Sequence, residues 1–167
     1  MSRAEISIRR YRGPDFEGAA RLVRGVFAKF VMPDATPRGV DYWTKYLSLA
    51  KANREKLRKS YSRETIAFVA LDRGKIIGVV MGTTDELKRV FVRGGYRRKG
   101  IGRGLMRRYE RECLLQGGRR FRITASLYAV PFYTRMGCRR TTGIRSFHGL
   151  KVQPMERVLP QPRQDST

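Results

Sequence analysis

The stretch Val92 to Met106, VRGGYRRKGIGRGLM, constrains this chain more than any other: an apolar strand runs through a basic, glycine-punctuated turn into an amphipathic helix. A helix that begins on glycines leaves its first backbone N–H groups without intrahelical acceptors and converging on one point, where the aligned peptide dipoles add partial positive charge. Such a turn suits a phosphate. The spacing Arg97-x-x-Gly100-x-Gly102 narrows the choice of phosphate binder. It lacks the Gly-Lys-Ser/Thr ending of a nucleoside-triphosphate loop, and it is not a Gly-x-Gly-x-x-Gly following a first strand, as a dinucleotide-binding fold requires.

Hydrophobic periodicity predicts the elements on either side. Residues 5–10 alternate as a first strand. Gly13-Pro14-Asp15 then opens a helix on which Ala19, Leu22, Val23, Val26, Phe27 and Phe30 share one face. A second helical region is expected over residues 41–60, with Tyr42, Trp43 and Tyr46 forming either a packing stripe or the wall of a ligand site. Residues 65–71 and 75–83 read as strands joined by the hairpin signal Asp72-Arg73-Gly74, and residues 86–92 as the strand entering the basic turn. Gly78, inside the second of these, marks a bulge or a close contact. Ile101, Leu105, Tyr109 and Cys113 recur every four residues along the next helix, which Gly117 ends. A parallel strand over 119–125, a short helix over 129–136 and strands over 138–145 and 152–158 complete the chain. Residues 160–167 read as a polar, proline-containing tail expected to be disordered.

The length of 167 residues suits one domain, and no run approaches the ~18 to 20 apolar residues of a membrane span. Without a signal-peptide core, the expected location is cytoplasmic. The two cysteines, Cys113 and Cys138, and the single histidine, His148, have no metal-ligand spacing, so neither a metal site nor a disulfide framework is expected. The unusual quantity is charge: 37 Lys+Arg against 14 Asp+Glu give +23. A field of that size attracts polyanions, including non-specific nucleic acid at low salt, and disfavours polycations.

The basic turn resembles the acetyl-CoA pyrophosphate loop of the GCN5-related N-acetyltransferase (GNAT) superfamily, Arg/Gln-x-x-Gly-x-Gly/Ala, carried here by Val92, Tyr96, Arg97, Gly100, Ile101, Gly102 and Leu105. A second motif, Ala129-x-x-Phe132-Tyr133-x-x-x-Gly137, is similar to the superfamily's Ala-x-x-Phe-Tyr-x-x-x-Gly-Phe and follows with the right helix and strand between. There are departures. Gly94 stands where proline is usual, Arg98 where glycine is common, Ser126 where asparagine often lies, and Cys138 where phenylalanine is preferred.

The resemblance implies a single-domain α/β fold over residues 3–159. Its mixed sheet of about six or seven strands is flanked by helices, with a splayed pair of parallel strands at the acetyl-CoA site. It implies acetyl-CoA as co-substrate, a primary amine as acceptor, and direct attack on the thioester without metal or covalent enzyme intermediate. Val90, Phe91 and Val92 would pair with the pantetheine arm. Arg97, Arg98, Lys99, Gly100, Ile101, Gly102, Arg103 and Gly104 would hold the pyrophosphate, and Ser126 takes the asparagine's position. Tyr133 matches the general acid beside the CoA sulfur. Glu86 matches the general base of histone-acetylating members, with Asp85 or a water chain as alternatives; on a regular strand it shares a face with Val92. A small amine is the favoured acceptor. A protein α-amine or lysine acceptor, and a nucleic-acid-binding protein that keeps the fold without turnover, remain alternatives, and monomer and homodimer are both open.

Overall fold

The computed structural model describes residues 5–96 and 98–161. Arg97, the first two residues of the expected domain and nearly all of the expected tail lie outside them.

Strands β1 (Ile6–Arg10), β2 (Ile66–Asp72), β3 (Lys75–Gly82) and β4 (Glu86–Val92) form an antiparallel meander. The two-residue turn between β2 and β3 has Arg73 and Gly74 both at positive φ, 50° and 79°, the geometry that follows the strand twist. Strand β5 (Arg120–Ser126) lies beside β4 and parallel to it, and β8 (Leu150–Val158) pairs antiparallel with β5. Among the described residues the sheet has eight strands and runs β1-β2-β3-β4-β5-β8-β6, with β7 also on β8.

Two short strands precede β8 where one was expected over residues 138–145. β6 (Arg139–Arg140) and β7 (Arg145–Phe147) both pair with β8, and the interruption lies opposite Pro154. Proline has no N–H for the ladder. The Gln153 side chain instead donates to the Thr142 carbonyl at 2.7 Å.

Helices cover both faces of the sheet. On one, α4 (Ile101–Leu115) and α5 (Val130–Arg135) pack through Leu105, Met106, Tyr109, Val130 and Tyr133 onto Phe68, Val80, Phe121 and Ile123. On the other, α1 (Phe16–Phe30) and α3 (Lys51–Ser62) pack through Val23, Phe27 and Tyr61 onto Val69, Val79 and Met81. The helix expected over 41–60 is two helices. α2 (Pro37–Tyr46) begins earlier, at a Thr36 cap whose hydroxyl accepts from Gly39 N–H. It ends before Ser48, whose hydroxyl accepts from Ala50 N–H, while Asn53 donates to the Tyr46 and Ser48 carbonyls. Those side chains satisfy backbone groups that a continuous helix would have used.

Two bulges and one splay shape the centre. Gly78 takes both roles expected of it. The register shifts beside it, and a Cβ there would lie 2.9 Å from Leu105 Cδ1. A second shift, from Met81↔Arg89 to Gly82↔Leu87, makes Lys88 an extra residue on β4. Gly82 is required there, because a Cβ would lie 2.2 Å from the Glu86 carbonyl oxygen. β4 and β5 pair only at Glu86↔Arg122 and Leu87↔Ile123. Beyond that, each follows its outer neighbour, β4 to Val92↔Gly78 and β5 to Ser126↔Val152, so their inner edges part. No helix among the described residues is long and apolar enough to cross a membrane.

Candidate functional site

Where β4 and β5 part, a cleft of about 1000 Å³ opens, lined from both faces of the sheet. Alternation along β4 assigns its side chains. Val90 and Val92 pack with the α4/α5 cluster, and Arg89 and Phe91 face the α1/α3 side. The cleft therefore connects the two layers through the sheet.

On the α4/α5 side lies the basic turn. Gly100 caps α4 at φ 77°, a left-handed conformation that glycine adopts without strain. Arg98 also has positive φ, 61°, which accounts for glycine being common there in the resembling family. Gly102 lets the Phe132 ring approach: a Cβ would lie 3.2 Å from it. Tyr96 donates to the Asp72 carboxylate and so fastens the turn to the β2–β3 hairpin. The first-turn N–H groups of α4 have no intrahelical acceptor, and Arg98, Gly100, Ile101, Gly102 and Arg103 line the cleft with Val90, Phe91, Val92 and Ser126. Two expected residues do not. Gly104 faces the sheet, its missing side chain giving room to Ile8 Cδ1, 3.0 Å from where a Cβ would sit. The Lys99 ammonium lies 5.3 Å from the centre of the Tyr96 ring.

Tyr133, on the first turns of α5, also lines the cleft and is 7% exposed. Burial pushes its hydroxyl pKa well above the ordinary tyrosine value, and neighbouring Cys138 adds to the rise. The hydroxyl is thus a neutral donor at physiological pH.

Glu86 lines the cleft, but not from the expected face. The extra residue at Lys88 puts Leu87 on the side of Val90 and Val92, so Glu86 takes the opposite side, next to Arg122 of β5. Its backbone carbonyl accepts from buried Tyr109 Oη at 3.1 Å, which fixes the start of the strand. Asp85 is not among the lining residues. The bulge itself is held by Glu64, whose carboxylate lies 3.1 Å from Lys88 Nζ and 3.4 Å from Arg89 Nη1.

The α1/α2 side is aromatic. Trp43 packs against Phe27 with ring centres 5.1 Å apart and donates its indole N–H to the His148 carbonyl at 3.0 Å. Tyr46 and Phe147 flank it, and Phe30 stacks on Tyr128 across the cleft at 5.1 Å. The stripe on α2 is thus both packing and wall. Phe147 and Tyr128 were not singled out from sequence; their lone positions beside turns carry no periodic signal. His148 stacks on Tyr42 at 4.1 Å and does not line the cleft.

The family model described as "Acetyltransferase (GNAT) domain" matches residues 31–159. Among solved structures, the fold is similar to a GCN5-related N-acetyltransferase from Rhodopseudomonas palustris, with TM-score 0.77, 18% identity and coverage of 95% of this chain and 99% of that one. It is also similar to the PaiA N-acetyltransferase of Thermoplasma acidophilum in complex with coenzyme A, with TM-score 0.70, 21% identity and coverage of 95% and 99%. A third is an aminoglycoside 6′-N-acetyltransferase complexed with coenzyme A, with TM-score 0.67, 14% identity and coverage of 94% and 99%. No curated protein sequence matches the chain.

Proposed function

The chain belongs to the GNAT acetyltransferases, and from that premise we propose that it moves the acetyl group of acetyl-CoA to the nitrogen of a primary amine by direct attack on the thioester. The observation that carries this reading is the opening between β4 and β5, with Glu86 on one face of the sheet and Tyr133 on the other. A thioester lying through the gap would meet a base on the side from which an amine enters and an acid on the side where the thiol departs.

The residues available fit the co-substrate. The inner edge of β4 offers backbone N–H and C=O groups of Val90 to Val92 for the amides of a pantetheine arm. The first turn of α4, with Arg98 and Arg103 beside it, suits a pyrophosphate, and Gly100 and Gly102 keep that approach free of side chains. Arg97 would join them by its motif position, and Ser126, at the end of β5, lines the same cleft. Glu86 accepts the proton that the ammonium must lose. The neutral amine then forms the C–N bond, the C–S bond breaks as Tyr133 Oη gives its proton to the departing thiolate, and the second proton on the new amide nitrogen leaves to water, from which the Tyr133 phenolate is reprotonated. No covalent enzyme intermediate is needed.

The test is acetyl-CoA binding by thermal shift, followed by thiol release against a panel of amines. Stabilisation by acetyl-CoA and amine-dependent thiol release are expected. Tight nucleic-acid binding at physiological salt, with neither of those, would instead favour a basic binding protein that keeps the fold without turnover.

A further inference from the structure

We propose that the acceptor is a primary monoamine carried on a planar aromatic body, seated against the wall that α1, α2 and the β7–β8 turn build on the Glu86 side of the cleft. The inference rests on the acetyl-transfer reading above and names the substrate class of that site.

Two observations converge on it. The first is charge. Among the described residues lining the cleft, Glu86 is the one carboxylate; Lys88 and Arg89 are already held by Glu64, Arg98 and Arg103 lie at the pyrophosphate turn, and Arg135 is a further cation. A polyamine or aminoglycoside would bring several ammonium groups into that surface, and only one of them could face Glu86. The rest would find no second carboxylate among the described lining residues, inside the long-range field of a +23 protein. One nitrogen is what the site can accommodate.

The second is the wall. Phe27, Trp43, Tyr46 and Phe147 line the cleft on the Glu86 side, with Leu150 and Val152 at the end of the sheet. Phe147 and Tyr46 are 44% and 36% exposed, so ring surface is presented to the cleft rather than spent in the core. The rings are held in place by one another, with Trp43 edge-on to Tyr46 at 82° and its N–H tied to the His148 carbonyl. Prepositioned rings take up a flat apolar body with little ordering to do. An apolar lining also disfavours the ammonium form of a bound amine, which brings it toward the neutral nucleophile the reaction needs.

The test uses the full chain, with initial rates of thiol release for 2-phenylethylamine, ethylamine, spermidine and kanamycin, and an acetyl-CoA thermal shift alongside. We expect kcat/KM for 2-phenylethylamine to exceed that for each of the others by about tenfold or more, the scale of burying one ring-sized group. In Phe147→Ala and Tyr46→Ala, the ratio of 2-phenylethylamine to ethylamine should fall toward one. Spermidine or kanamycin equalling or surpassing 2-phenylethylamine would overturn the substrate class and leave acetyl transfer standing. So would acetyl-CoA binding without acetylation of 2-phenylethylamine, or a ratio unchanged in both variants. Failure of acetyl-CoA to bind at all would overturn the acetyl-transfer reading instead.

Discussion

Gly39 of α2 and Gly149 of the β7–β8 turn meet backbone to backbone: a Cβ on Gly149 would lie 2.5 Å from Gly39 Cα, and a Cβ on Gly39 2.9 Å from the Gly149 oxygen. Thr36 N–H donates to that same oxygen at 2.9 Å. The contact brings the aromatic face of α2 to Phe147, so the wall of the cleft depends on two residues that carry no side chain. Gly149 also sits at φ 77°. Gly149→Ala should therefore destabilise the fold by about 1–3 kcal/mol, through strain and collision together. It should raise KM for the amine more than it weakens acetyl-CoA binding. Chemical denaturation and the two affinities check this; an unchanged unfolding midpoint would refute the contact.

At the cofactor loop, Gly102→Glu adds negative charge to the positive end of α4 and bulk toward Phe132. The ring is a side chain with room to yield, so the fold should persist with a modest fall in Tm. Acetyl-CoA should no longer raise that Tm. Equal stabilisation of variant and parent by acetyl-CoA would remove the loop from the site.

The parts of this fold that were legible in sequence are those in which a local rule and the tertiary structure agree. Gly100 and Gly117, at φ 77° and 86°, punctuate α4 where the glycines suggested, and Ile101, Leu105, Tyr109 and Cys113 are all buried. The face of Glu86 was not legible from counting by two, because the bulge depends on Gly82 of the neighbouring strand, which pairs with Leu87 where the preceding Met81 pairs with Arg89. A trace of it was present: Leu87, Val90 and Val92 cannot share one face of a regular strand. Arg89 gave no such trace, since its burial rests on the Tyr61 ring 4.3 Å away and on Glu64, both distant in sequence. The Thr36-Pro37 start of α2 was readable as a cap followed by proline at the first helical position, and an aromatic stripe beginning at Tyr42 drew the expected boundary too far along the chain.

Acid should loosen the junction of β1 and α1. Asp15 accepts from Arg9 Nη1 and Nη2 at 2.8 and 2.9 Å and from Arg12 N–H at 2.8 Å. The Arg9 hydrogen bonds above all hold its carboxyl below the usual range. A folded-state pKa below the unfolded value means the stabilisation is present above the unfolded value, about 3.9, and is lost as pH falls through the folded one. Asp15→Asn should thus be less stable than the parent at pH 7 by about 1–3 kcal/mol. The difference should narrow in strong acid, and a gap that stays constant from pH 7 to about 2 would contradict the linkage.

Tyr133→Phe keeps the ring and its packing in α5 and deletes the hydroxyl. Acetyl-CoA affinity and Tm should change little, while kcat falls about ten- to a thousandfold. Because burial raises the hydroxyl pKa, the acid stays protonated, and the parent's rate should show no falling limb from Tyr133 up to about pH 10. Single-turnover acetyl transfer separates chemistry from product release, and an unchanged transfer rate in Tyr133→Phe excludes it as the acid.

Glu86 is the sharper case, because its role depends on the Lys88 bulge that turns it toward the aromatic side of the cleft. If it takes the proton from the incoming ammonium, Glu86→Gln removes the acceptor without changing the size of the side chain. Strand register should survive, since the Glu86 contact that holds the start of β4 is its backbone carbonyl to Tyr109. At neutral pH the variant should lose about a hundred- to ten-thousandfold in kcat/KM, the ordinary scale of general-base catalysis. The loss should shrink as pH approaches the amine's own pKa, about 10 for an alkyl amine, because a nucleophile that arrives neutral needs no base. A merely structural carboxylate predicts something different, a deficit that stays constant with pH and a lowered Tm. Parallel pH profiles for parent and variant between about pH 7 and 10 would therefore remove Glu86 from proton transfer and leave ordered water, or another group in the cleft, as the acceptor.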